Sequence, residues 1–200
     1  MLKRLFDILV AVAVGIAALP VFLIVAVLVK ITSPGPVLHW SSRVGRDNQI
    51  FKMPKFRTMR VDTPQLATHL LHDAERWITP VGAVLRSTSL DELPQLWCVL
   101  TGQMSLVGPR PALFNQHDLV ESRTEQGVHR LRPGLTGWAQ VNGRDELAIP
   151  AKVALDVEYA ERRSPAFDAW ILLLTAWRVI RRDGYAQAPV REPASTKRAA

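Results

Sequence analysis

Apolar positions are distributed very unevenly along this chain. From Leu5 to Val29 the run is interrupted only by Asp7, Gly15 and Pro20, with Lys3 and Arg4 before it and Lys30 after it. At ~1.5 Å per residue a straight helix over these 25 positions would reach ~37 Å, more than the ~30 Å hydrocarbon core of a bilayer. Pro20 lies near the middle, where it removes one intrahelical hydrogen bond and clashes with the preceding turn, so a bend is expected there. Positive charge at both ends gives no orientation for a span and suits a helix that enters, bends at Pro20 and returns to the same face. The reading adopted is a re-entrant membrane helix rather than a kinked span. A cleaved signal peptide does not fit, because the run is too long and no small-x-small site precedes Lys30.

Beyond the run, Thr32-Ser33-Pro34-Gly35-Pro36 breaks the helix and opens a globular domain. Val37–Trp40 and Ile50–Met53 flank Gly45-Arg46-Asp47-Asn48-Gln49 as a short hairpin. Leu66, Leu70, Leu71 and Trp77 predict a helix over 64–78. Pro94 is tolerated only in a first turn, so the next helix is expected to start near Asp91 and stop at Thr101-Gly102. A polar helix follows from Leu113 to Gln126, and Arg132-Pro133-Gly134-Leu135-Thr136-Gly137 is a non-helical loop. Phe167, Trp170, Ile171, Leu174 and Trp177 recur at helical spacing before Arg178, Arg181 and Arg182, which suggests an interfacial helix. The chain is polar from Ala186 and is expected to be disordered. The resulting fold class is α+β and mostly helical, with a membrane helix over 1–33, a small catalytic domain over 34–185 and a tail over 186–200.

Charge sharpens this picture. Residues 1–60 hold nine Lys/Arg against Asp7 and Asp47, whereas residues 61–200 hold sixteen of each sign, so the net +7 sits beside the apolar run. Such a collar favours anionic lipid headgroups or a phosphorylated ligand, at ~1 kcal/mol per basic residue near the surface. Nucleic acid is not expected, because no stacking pattern or recognised motif accompanies the charge. Cys98 is the only cysteine, which excludes an intrachain disulfide or a Cys-based zinc site.

The most suggestive chemistry is Asp91-Glu92 at a predicted helix start. Ser89 and Glu92 have capping-box spacing, but that box would put Pro94 where its amide is needed, and Asp91 as N-cap fits better. Adjacent carboxylates can ligate Mg²⁺ together with substrate phosphates, and an aspartate can also attack phosphorus. Spacing alone leaves these alternatives open. Arg110, stiffened between Pro109 and Pro111, suits bidentate phosphate binding. Lys55, Arg57, Arg86, Arg132 and Arg144 add cations in loop-like contexts. His69 and His72, with Asp73 and Glu75, lack zinc-protease spacing and read better as part of an amphipathic helix. No dinucleotide, Walker or nucleophile-elbow motif is present.

Taken together, Lys3–Asp7, Ser33–Val37, Arg43-Val44-Gly45, Lys55–Met59, Arg86–Leu96, Met104–Pro111 and Arg132–Arg144 resemble the bacterial sugar transferase family, the small monotopic polyprenyl-phosphate phosphoglycosyl transferases. The resemblance covers residues 1–185. It implies transfer of a sugar 1-phosphate from a UDP-sugar to undecaprenyl phosphate with release of UMP, at the cytoplasmic face of the bacterial inner membrane, with Mg²⁺ as cofactor. It implies Asp91 as nucleophile beside the metal and Glu92 as metal-site carboxylate or base. It also implies Lys55, Arg86, Arg110, Arg132 and Arg144 as phosphate and nucleotide contacts, and Asp156 as a further acidic position of the site. Ser41, Cys98 and Gln103 depart from the family's commoner residues without touching the dyad. Hexose and N-acetylated or diamino deoxysugar donors are both compatible, and a homo-oligomer is left open. Two other readings stand beside this one: a one-step transferase in which Asp91 only binds metal, and a non-enzymatic membrane-binding module.

Overall fold

The apolar run forms one helix, α1 (Leu2–Thr32), which carries Pro20 inside it. It belongs to a computed structural model that describes residues 2–64, 74–143 and 147–181. The expected helix over 64–78 is described only as α2 (Ala74–Trp77); His69, His72 and Asp73, Arg144 and the tail from 186 lie outside the described residues. Most of the elements are helices. Of the 18-residue apolar window in α1, 11% is buried, and Ile16, Leu19, Leu23 and Ile24 are all more than half exposed. Burying such a surface is what a bilayer offers, so this chain is built to associate with a membrane.

Both halves of α1 nevertheless rest on the domain. Near its start, Lys3 donates to Asp168 at 2.6 Å, Arg4 donates to the carbonyls of Val99 and Leu100, and Asp7 accepts from Ser105 Oγ at 2.8 Å. Asp7, the one charge within the apolar run, is 2% exposed and is therefore a docking group, not a solvated interruption. Near the end of α1, Val25 and Val29 are buried with Phe56 and Leu85, and Phe22 packs on Phe56 with ring centroids 4.7 Å apart.

The hairpin forms as expected and is longer than the apolar blocks alone indicate: β1 (Leu38–Val44) pairs antiparallel with β2 (Ile50–Phe56) from Leu38↔Phe56 to Val44↔Ile50. Asp47 and Asn48 turn the chain with φ of 53° and 59°, a conformation that Asp and Asn tolerate better than most residues. α3 (Pro80–Thr88) begins with Thr79, whose hydroxyl accepts from Gly82 N at 2.9 Å, and with Pro80 in the first turn, where a missing amide costs nothing. Gly82 is required there, since a Cβ would stand 2.0 Å from the Thr58 carbonyl oxygen.

Two local expectations are corrected. The helix expected to start at Asp91 begins as a 3₁₀ turn, Leu90–Gln95, before α4 (Leu96–Leu100), and Ser89 at its start makes no side-chain cap. Neither the capping box nor an Asp91 cap forms, because Ser89 turns with φ 56° and the tighter 3₁₀ winding accommodates Pro94. The segment expected as a loop contains β4 (Gly134–Thr136), which pairs in parallel with β3 (Ser105–Val107). Three-residue strands give no readable period, so only the long-range pairing defines them. α5 (His117–Glu125), α6 (Trp138–Val141), α7 (Ile149–Arg162) and α8 (Pro165–Arg181) complete the domain. Phe167 and Ile171 of α8 are buried in the main core, whereas Trp170 and Trp177 are about half exposed at 52% and 53%.

Candidate active site

Three separate pieces of backbone bring the charged residues together. Along β2, Phe51 and Met53 point to the core, and the period of two puts Lys55 on the same face at its edge. α3 ends with Arg86 in its last turn; Ser89 N then donates to Arg86 O and Glu92 N to Ser89 O, folding Asp91 and Glu92 back beneath that turn. The third piece is Pro109-Arg110-Pro111. Its three carbonyls are each held from a different direction: Gly134 N donates to Pro109 O at 2.9 Å, Arg123 Nη1 to Arg110 O at 2.7 Å, and Arg43 Nη1 to Pro111 O at 3.3 Å. Gly134 permits this approach, because a Cβ there would stand 2.1 Å from Gly108 N. With both flanking prolines fixing φ, Arg110 projects from a rigid loop.

At the centre, Glu92 Oε1 accepts from Lys55 Nζ and from Arg110 Nη2, both at 3.0 Å. Burial opposes ionisation of Glu92, but Arg110 and Lys55 outweigh it and hold its carboxyl well below the usual range. Asp91 differs from its neighbour. It is 7% exposed, its pKa is raised chiefly by burial and further by the Glu92 charge, and Lys55, Arg86 and Arg110 only partly oppose that. It accepts no hydrogen bond from any described residue. Lys55 is pushed down by burial, offset in part by Glu92, and Arg86 is pushed down by burial, offset in part by Asp91. His39, directly opposite Lys55 in the hairpin, is lowered by burial and then by the Lys55, Arg43 and Lys52 charges. Among the described residues the site therefore contains one carboxylate bonded to two cations, one that accepts no hydrogen bond, and three cations around them.

Metal capacity follows from the same groups. Among the described residues no three His, Cys, Asp or Glu side chains are grouped to hold an ion. An all-protein cage is not available among these residues, whereas a buried carboxylate that accepts no bond from them fits a hard cation such as Mg²⁺, which takes one or two carboxylates and completes its shell with phosphate and water.

Not every expected residue joins this cluster. Arg132 is exposed and donates to Gly102 O at 3.0 Å, away from the dyad contacts. Asp156, expected as a substrate contact, is 1% exposed and accepts from Arg123 Nε at 2.9 Å and Nη2 at 2.6 Å. Its carboxylate faces protein, and its link to the site runs through Arg123 to the Arg110 carbonyl. Sequence reading missed Arg123. Its signal was the four-residue spacing from Leu119, which puts both on the buried face of the otherwise polar α5. Also missed was the network at the foot of α1, where Tyr159 Oη donates to Asp168 at 2.8 Å and lies 3.0 Å from Val107 O.

A buried carboxylate pair amid cations, set beside an apolar helix, is the arrangement of a membrane-associated enzyme that handles anionic groups. The chain belongs to the bacterial sugar transferase family, whose model matches residues 1–182. It is 39% identical over 189 residues to the exopolysaccharide production protein ExoY of Sinorhizobium fredii, covering 86% of this chain and 83% of that protein. It is 40% identical over 186 residues to the UDP-glucose:undecaprenyl-phosphate glucose-1-phosphate transferase of Escherichia coli, and 36% identical over 183 residues to a UDP-N-acetylgalactosamine-undecaprenyl-phosphate N-acetylgalactosaminephosphotransferase of Aeromonas hydrophila. These matches cover 89% and 90% of this chain but only 40% and 43% of those longer relatives. Membership makes the protein a transferase and sets aside the non-enzymatic module.

Proposed function

We propose that this transferase moves a sugar 1-phosphate from a UDP-sugar to undecaprenyl phosphate, or a similar polyprenyl phosphate, in two steps through a phosphosugar carried on Asp91. The observation that carries this reading is the contrast within the dyad: Asp91 is buried and accepts no hydrogen bond from the described residues, while the adjacent Glu92 is held ionised by Lys55 and Arg110. A carboxylate with no competing donor is free to use one oxygen on phosphorus. In the first step an Asp91 oxygen bonds to the sugar-bearing phosphorus, and the bridging P–O bond breaks with its electron pair on UMP. In the second, an oxygen of polyprenyl phosphate bonds to the same phosphorus and the Asp91–phosphorus bond breaks, restoring the carboxylate.

Lys55, Arg86 and Arg110 bind and orient the diphosphate, and their fixed positions stabilise charge on the departing UMP without reorganisation. Asp91 and the second oxygen of Glu92 would hold Mg²⁺, which supplies charge neutralisation at the phosphates. The names of the relatives cover both a hexose and an N-acetylated sugar, so they do not select a donor for this chain.

For α1 we propose a re-entrant path bent at Pro20, with the domain at the cytoplasmic face of the inner membrane. Support comes from packing: a straight span places its ends on opposite sides of a ~30 Å core, yet the groups around Lys3 and those around Val29 contact the same domain. The exposed Trp170 and Trp177 with Arg178 and Arg181 support an interfacial α8 beside anionic headgroups.

The test uses protein in lipid nanodiscs with UDP-glucose or UDP-N-acetylgalactosamine, Mg²⁺ and radiolabelled UMP. Two-step transfer predicts exchange of label into the donor without acceptor, and a phosphosugar trapped on Asp91. Turnover with acceptor but no exchange assigns Asp91 to the one-step reading.

A further inference from the structure

The face of the hairpin that carries Lys55 continues on β1 as a polar row. His39 stands opposite Lys55, Ser41 opposite Met53 and Arg43 opposite Phe51, so the alternation of a strand puts these side chains on one face. On β2 that face turns into the core with Phe51 and Met53, whereas on β1 it stays at the surface. The row runs to the Arg110 loop, because Arg43 donates from Nε to Ser41 Oγ at 3.1 Å and from Nη1 to Pro111 O at 3.3 Å. Its other two members have capacity to spare. Ser41 Oγ accepts from Arg43 and finds no acceptor for its own proton among the described residues. His39 makes no hydrogen bond with any of them, and the charges that act on it, from Lys55, Arg43 and Lys52, are all positive. An imidazole kept neutral by such neighbours offers one donor and one acceptor.

We propose that His39 and Ser41 hydrogen-bond the hydroxyl or amide groups of the donor's sugar and take part in selecting it. The inference rests on the transferase reading above and deepens it. Lys55, Arg86 and Arg110 answer charge, so they would hold the diphosphate of any nucleotide sugar and leave the sugar unread. Neutral groups that both give and accept protons match hydroxyls instead. Position agrees with this, since the sugar is bonded to the phosphorus that Asp91 attacks, and His39 is the cross-strand neighbour of the phosphate-binding Lys55, about 5 Å away between Cα atoms. Spacing separates this sugar from the ribose of the same donor. Residues two apart on a strand lie about 6.6 Å from each other, a gap that a six-membered ring with substituents around its rim can bridge. The ribose has two adjacent hydroxyls, enough to serve one of the two residues. The uracil lies further still from the attacked phosphorus, beyond a second phosphate and the ribose.

The experiment measures binding to the full chain in lipid nanodiscs, in an Asp91→Asn background so that no transfer disturbs the equilibrium. The ligands are UDP-glucose, UDP-galactose, UDP-N-acetylglucosamine and UDP-N-acetylgalactosamine, with UDP as the probe that has the nucleotide and both phosphates but no sugar. His39→Phe, His39→Gln and Ser41→Ala are each added to that background; neither residue belongs to the core, so the fold is left intact. For the UDP-sugar bound most tightly, His39→Phe and Ser41→Ala should each raise Kd about tenfold, the scale of one lost hydrogen bond, while the Kd of UDP stays within about twofold. His39→Gln keeps a donor and an acceptor and should recover most of the affinity. Unaltered Kd values for all four UDP-sugars overturn the proposal, and so does a loss for UDP as large as that for the sugars, which would give these residues to the nucleotide or the phosphates. Equal losses in His39→Phe and His39→Gln would make the ring a packing group and overturn its hydrogen-bonding role. Failure of the transferase reading would show separately, as no UMP release from any of the four donors by the wild type, with the binding ratios still measurable.

Discussion

Two aspartates with nearby arginines occupy this small domain and serve opposite ends. Asp156 is 1% exposed and accepts two short bonds from Arg123, whose remaining nitrogen is used on the Arg110 carbonyl. Asp91 is 7% exposed, has Arg86, Lys55 and Arg110 within electrostatic reach, and accepts no hydrogen bond from any described residue. Both are buried acids beside cations, so burial and charge do not separate them. Satisfaction does. A carboxylate clamped by two nitrogens of one arginine is part of the framework, and one that accepts no bond from the described residues is available to a ligand. The framework pair also supports the working pair, since Arg123 helps fix the loop that aims Arg110 at Glu92.

The largest effect that tests this contrast is on turnover. Asp91→Asn should lower UMP release on the order of 10⁴-fold or more, the scale of losing a nucleophile. Its melting temperature should stay equal or rise, because the change removes a buried charge whose desolvation Lys55, Arg86 and Arg110 only partly offset. A melting temperature that falls as far as that of an Asp156 variant would erase the distinction. Asp156→Ala should do the reverse in kind: it leaves Arg123 buried and unpaired, at a cost of about 3–5 kcal/mol in a denaturant titration. Replacing both partners, Arg123→Met with Asp156→Leu, should recover most of that stability while turnover stays depressed, because the Arg110 carbonyl has lost its donor. Recovery of activity along with stability would show that Arg123 does not position Arg110.

An intermediate effect is expected from Glu92→Gln. The amide keeps the shape but removes the charge shared by Lys55 and Arg110 at 3.0 Å, so two cations lose the anion that orders them. Turnover should fall about 10²–10³-fold, the range found on removing one preorganised electrostatic group, with a weaker effect on acceptor KM. A loss equal to that of Asp91→Asn would make Glu92 the reacting carboxylate instead.

Much of this contrast was legible in the sequence, and its limits have physical causes. Pro109 and Pro111 announced a stiff Arg110, because local backbone chemistry sets it, whereas Lys55 was expected in a loop-like context and lies in β2, since the apolar block that marked the strand ended at Met53. The apolar run announced α1, but not that Asp7 within it would dock on Ser105, since a lone charge reads as an interruption until its partner 98 residues away is known. β3 and β4 were invisible for the same reason: three residues each, paired in parallel across the chain, have no local signature. Asp156 shows the remaining gap. The family resemblance marked it as a site candidate, while its role depended on Arg123, thirty-three positions away and reached only through the packing of α5 on α7.

The smallest effect probes the excess of cations around the dyad. His39 faces Lys55 across the hairpin and is lowered first by burial and then by Lys55, Arg43 and Lys52, so its neutral form is favoured in the folded protein. In the unfolded chain the ring takes up its proton near the ordinary value of about 6.5. Between that value and its lower folded one the unfolded state binds more protons, so stability must fall as pH drops through this window. His39→Gln should flatten the acid side of the stability curve slightly, measured as melting temperature against pH. The same cations make a prediction for ligand binding. Saturating UMP brings negative charge to Lys55 and Arg110, which should draw the His39 midpoint in an NMR titration upward. A His39 midpoint unmoved by UMP would mean that the nucleotide's phosphate is held away from Lys55, and the division of labour between the two acid clusters would have to be redrawn around Arg86 alone.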